Sequence, residues 1–223
     1  MSKVINNIEE IGNQVIDELI IPIINGSKKT IIDDNKIIQL FLNIKTAYME
    51  NKISQFLNFL EFENEHKILS FITNLTKKEK VFFVETINKT IDMDDSLQIF
   101  ILCQLTKSFK KNGKLNYWEK SLYYNINQIS EDDFFNFYKV LENLEKPFNY
   151  KKSYGLEKTL HKDELILSIK KLENIGIIST ARGAMGSNDI VNLEHNVTSF
   201  RFKLYTYSND IYEMIKSYNS KLW

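Results

Sequence analysis

Residues that break regular structure are rare in this chain and unevenly placed. It has two prolines and seven glycines in 223 residues, and four of the glycines fall between Gly155 and Gly186. Proline and glycine are the strongest local stops for helices. Ahead of that cluster little interrupts a helix, and Leu, Ile, Lys, Glu and Asn dominate. The expectation is a mostly α protein: a multi-helix bundle over residues 1–146, then a small α+β module over residues 147–223. The boundary is placed at "KPFNYKKSYG", which opens on Lys146-Pro147 and closes on Gly155.

Apolar periodicity locates the helices. Val4, Ile8, Ile11, Val15 and Leu19 recur at steps of three and four, the mark of an amphipathic helix, and Pro22 ends it before an Asn25-Gly26 turn. Asp33 or Asp34 is a cap for a second helix carrying Ile37, Leu40, Phe41 and Ile44. "ENKISQFLNFLEF" reads as a third, with Ile53, Phe56, Leu57 and Leu60 inward. Two short helices should follow, split at a Thr76-to-Glu79 capping box. A helical hairpin comes next, capped at Asp94 or Asp95 and turning at Asn112-Gly113. Leu97, Ile101 and Leu105 line its first arm; Leu115, Trp118, Leu122 and Ile126 line the second. Ser130 and Asp133 form an acidic capping-box variant, opening a helix with Phe134, Phe137, Tyr138, Leu141 and Leu144 on one stripe. Trp118, Phe109, Phe134 and Phe137 are expected in the core.

In the C-terminal module Asp163 should cap a helix through Leu165, Ile169 and Leu172, stopped by a left-handed Gly176. Ile177–Thr180 and Phe200–Tyr205 read as two strands of an antiparallel ribbon, with a long loop between them. "SNDIYEMIKSY" closes the chain as a helix with Ile211, Met214, Ile215 and Tyr218 apolar.

Charge narrows the function. Lys plus Arg and Asp plus Glu are 29 each, so no global field draws the chain to DNA or anionic lipid. The only two arginines, Arg182 and Arg201, flank the loop between the strands. Residues 151–223 hold eleven basic and eight acidic residues, a net of +3, against −3 for residues 1–150. Lys162, Ser168, Lys170, Lys171 and Asn174 would lie on a groove-facing side of the helix before the strands, diluted by Glu164 and Glu173. Arginine is suited to phosphate and to narrow minor grooves, so Lys170, Lys171, Arg182 and Arg201 are the candidate nucleic-acid or partner contacts.

Familiar chemistry is missing from the pattern. Asp92, Asp94 and Asp95 resemble a cation site only until positions six and twelve of an EF-hand are read, where Leu97 and Cys103 stand; helix capping is preferred. His66, His161 and His195 belong to no metal-ligand spacing. Walker, dinucleotide and nucleophile-elbow motifs are absent, and "GAMGS" is followed by no Lys-Ser or Lys-Thr pair. No catalytic residue, cofactor or metal is therefore assigned, and the chain is read as a non-enzyme. Cys103, the only cysteine, follows Phe100-Ile101-Leu102 and reads as a buried small hydrophobe. The N-terminus shows no signal-peptide core, and no run approaches the ~18 apolar residues of a spanning helix. A cytoplasmic location is expected, with membrane association disfavoured.

Two resemblances add to this. In "LENIGIIST…SFRFKLYTYSNDIYEMI", Leu172, Gly176, Ile177 and Ile178, then Tyr205, Thr206 and Ile211, are similar to the ending of many winged-helix domains, with Asn209 where glycine is usual. The resemblance implies a winged-helix-like module with a two-stranded wing. Over roughly residues 20–145, Lys52-Ile53, Phe56-Leu57, Ile91-Asp92, Asp95, Gly113 and Trp118 resemble a group of uncharacterised bacterial helical proteins from prophage, mobile-element or defence surroundings. Relatives in that group carry a more apolar segment after "IP", where this chain has "NGSKKTIIDD". The hairpin is also similar to bacterial tellurite-resistance domains built on a helix, an acidic turn and a helix.

These readings combine into one expectation: a non-catalytic helical adaptor or sensor acting through protein–protein contacts, in a prophage or anti-phage defence setting. Its partner is another protein or a second copy of itself. The alternative is a winged-helix DNA-binding transcriptional regulator; a weaker one is a membrane-associated effector.

Overall fold

The computed structural model describes residues 36–60, 65–155, 162–180 and 201–222. Among them are eight α-helices and one small antiparallel sheet. The helix expected from Val4 to Leu19, its stop at Pro22, the Asp33 and Asp34 cap and the loop after Thr180 lie outside the described residues.

By internal contacts the chain divides into two compact units, residues 1–115 and 116–223. In the first unit α1 spans Lys36–Phe59, α2 Glu65–Thr73, α3 Lys77–Ile91 and α4 Ser96–Asn112. The two helices expected between Asp33 and Phe62 are one, since "NIKTAYMENKISQ" contains no breaker and the backbone continues through it. Thr76 caps α3 with a reciprocal box: the Glu79 N–H donates to Thr76 Oγ1 at 3.3 Å and the Thr76 N–H to Glu79 Oε2 at 2.7 Å. Helices α1, α3 and α4 pack on one another around Ile53, Phe56, Phe83, Ile87, Leu97 and Leu105. From Leu97 to Cys103 every residue of α4 is buried, not only the expected stripe. That run is apolar on every side but for Gln98, so this half of the helix sits inside. Gly113 ends α4 at φ 68°, its N–H donating to Phe109 O at 2.7 Å.

The second unit holds α5 (Tyr117–Asn125), a 3-10 turn (Ile126–Gln128), α6 (Glu131–Glu142), β1 (Tyr154–Gly155), α7 (Lys162–Asn174), β2 (Ile178–Thr180), β3 (Arg201–Leu204) and α8 (Ser208–Leu222). Its core is built from Phe134, Phe137 and Leu141 on α6, Ile169 and Leu172 on α7, Phe202 on β3, and Ile211 and Ile215 on α8. The division at Leu115/Asn116 precedes the composition change at Pro147 because α6 packs on both α7 and α8.

Helix α7 starts at Lys162, which puts Asp163 in its first turn instead of at the cap. It stops as expected: Gly176 sits at φ 75°, the Ile177 N–H donates to Leu172 O at 2.9 Å and the Gly176 N–H to Glu173 O at 2.8 Å. This double bond to the last turn is the Schellman arrangement. Strands β2 and β3 pair antiparallel, Ile178 opposite Leu204 and Thr180 opposite Phe202. The expected two-stranded ribbon has a third member, for β1 pairs with the other edge of β3, Tyr154 opposite Phe202. Its sequence, between Lys151-Lys152 and a glycine, carries no alternation that marks a strand. Burial of the Tyr154 ring 5.9 Å from Phe202 holds it there.

Candidate interaction surface

Helix α6 meets α7 through a polar network centred on Asp133. The Ser130 N–H and hydroxyl donate to Asp133 Oδ2 at 3.0 and 2.9 Å, which opens α6 as expected. The same carboxylate accepts Ser168 Oγ–H on Oδ1 at 2.9 Å and the Lys171 ammonium on Oδ2 at 2.7 Å. Asn136 Nδ2 donates to Ser168 Oγ at 3.0 Å. Burial pushes the Asp133 pKa up, but the Lys171 ammonium, the Ser130 backbone and the two hydroxyls more than offset it, so it stays below the usual carboxylate range.

That network decides much about the predicted contact residues. Lys170 and Lys171 line an open groove of about 640 Å³ between α6 and α7, shared with Asp132, Asp133 and Glu164. Lys171 is half-exposed, yet its charge is matched by Asp133. A groove of mixed sign with a neutralised lysine is a poor cradle for phosphates. Glu173 is also engaged, accepting the Thr180 N–H at 2.9 Å and so fastening β2 to α7. Arg201 is exposed on β3, and Arg182 lies outside the described residues.

The same unit carries an aromatic surface that apolar periodicity does not mark. Trp118, expected in the core, is only half-buried; its ring stacks on Tyr207 with centroids 5.7 Å apart, and Tyr207 stacks on Tyr205 at 5.1 Å. The Tyr207 hydroxyl donates to Gly176 O, which pins the middle ring to the stop of α7. Burial, then Tyr205 and Tyr117 nearby, raises the Tyr207 pKa. Tyr117 is 87% exposed and Tyr124 67%, and the two lie seven residues apart on one face of α5. Tyr205 is 40% exposed, at the end of a strand whose outward residues are Arg201 and Lys203. Periodicity could not find this surface: Trp118 follows an apolar spacing, and Tyr205 reads as the last residue of a strand, with nothing to say that the two rings meet through Tyr207.

A second cluster joins α6 to α8. The Tyr212 hydroxyl donates to Glu142 and accepts from the Lys146 ammonium, and the Tyr138 ring stacks on Tyr212 at 5.3 Å. The Tyr212 and Lys146 bonds hold the Glu142 carboxyl below its ordinary value. Tyr212 itself is buried among Tyr138 and Phe148, so the arrangement fastens the end of α6.

In the first unit Asp95 caps α4, its N–H donating to Gln98 Oε1 at 3.1 Å. The buried Lys52 sends its ammonium to the Asp94 carbonyl at 3.0 Å. Cys103 is fully buried, which pushes its thiol up to about 12. His161 and His195 fall outside the described residues, as does the side chain of His66. Among the described residues no group of three or more His, Cys, Asp or Glu is placed to hold a metal, and no helix is long and apolar enough to cross a membrane. No family model, curated protein or solved structure matches the chain.

Proposed function

We propose that the chain is a non-catalytic adaptor or sensor that works through protein–protein contacts, made by the aromatic surface of its second unit. One observation carries this reading: Tyr117 and Tyr124 stand out from one face of α5 at 87% and 67% exposure, beside the stacked Trp118–Tyr207–Tyr205 row. Tyrosine and tryptophan give large contact area at little conformational cost, which is why they dominate protein-binding surfaces. The prophage or anti-phage defence setting implied by the sequence resemblance belongs to the same proposal, as does a cytoplasmic location.

A photo-cross-linking residue at position 117 or 124 should trap the same protein, or a second copy of the chain, in the native host. The same residue at Asn143, exposed at the end of α6, should not. A monomer by light scattering that yields no position-dependent adduct would remove the reading. The winged-helix DNA-binding alternative retains the exposed Arg201 on β3 and loses support from Lys171, which is paired to Asp133. The membrane-associated alternative has no observation in its favour.

A further inference from the structure

Resting on that protein-contact reading, we infer that the bound segment is an extended, acidic peptide carrying aromatic side chains, laid along the outward face of β3. Arg201, Lys203 and Tyr205 stand exposed at alternate positions, while Phe202 and Leu204 are buried beneath them. Alternate residues of a strand are about 6.7 Å apart, and an extended peptide repeats its own side chains at the same interval. Carboxylates two residues apart therefore match the two cations in register, and an aromatic two further on meets Tyr205.

Among the described residues, no large side chain stands opposite either cation. Arg201 pairs across the sheet with Gly155, and Lys203 with Ser179, both too small to cover them. Neither has a carboxylate partner among the described residues. Tyr205 is backed by Tyr207 and Trp118, so its ring is held in place before anything binds. Charge also separates a peptide from a nucleic acid. Residues 116–223 hold 14 Lys or Arg and 14 Asp or Glu, so the two cations act locally, without the basic field that phosphate polymers require.

Fluorescence anisotropy on the full chain tests this with three labelled probes: a random copolymer of glutamate and tyrosine, polyglutamate, and oligothymidylate. The copolymer should bind most tightly. The double variant R201E/K203E should weaken it by about tenfold or more, and Tyr205→Ala by a few fold. The neutral pair R201Q/K203Q, with an unchanged melting temperature, guards against a folding artefact. Tighter binding of oligothymidylate would replace the proposal with a nucleic-acid surface. Equal binding of polyglutamate, no binding, or indifference to the variants would overturn it. If cross-linking at Tyr117 still traps a protein while the copolymer fails, only the acidic partner class is lost, and the protein-contact reading stands.

Discussion

Asp133 shows how one side chain serves two levels of structure. As the N3 residue of a capping box it satisfies Ser130, and as a buried carboxylate it receives Ser168 and Lys171 from α7. Its folded pKa lies below its unfolded one, so the stability it contributes is present above the unfolded pKa and lost as pH falls through the folded value. Asp133→Asn should therefore lower stability at pH 7 by about 1–2 kcal/mol, the worth of a charge-assisted bond and part of a cap. As pH drops below about 3.9, the unfolded carboxylate value, the gap between variant and wild type should close. Urea titrations at several pH values check this; a gap independent of pH would mean the carboxylate charge contributes nothing.

Among elements, the end of α7 sets up most of the surface. Gly176 permits the left-handed turn, Ile177 enters the core, Ser208 Oγ–H donates to Ile177 O at 2.8 Å, and Tyr207 is tied to Gly176 O. An added Cβ at Gly176 would meet nothing within 4 Å, so the cost of Gly176→Ala is backbone strain alone. It should be about 1 kcal/mol, read from the urea midpoint, and Gly176→Asn should cost less because asparagine tolerates this region better. A loss of several kcal/mol would show that the turn is packed more tightly than its open surroundings indicate.

At the scale of the whole molecule, the division at Leu115/Asn116 makes α6 part of the C-terminal unit. A fragment of residues 116–223 should melt cooperatively. One of residues 147–223, the module expected from composition, loses Phe134, Phe137 and Leu141, each fully buried on α6. It should show a broad transition without near-ultraviolet dichroism. A sharp melt for the shorter fragment would return the boundary to Pro147.

What the sequence determined by itself was local. The Thr76 and Ser130 caps, the turn at Gly113, the left-handed Gly176 and the pairing of β2 with β3 were all legible, because capping, glycine conformation and strand alternation act within a few residues. Tertiary structure decided what depends on distant partners. Strand β1 exists because Tyr154 finds Phe202, and α4 is buried on all sides from Leu97 to Cys103 although only one stripe was expected. Lys171, expected to reach outward, is held by a carboxylate 38 residues away. Trp118 leaves the core to stack on Tyr207, a ring far along the chain. Periodicity reports which face of an element is apolar; it carries no information about which distant residue that face or its charges will meet.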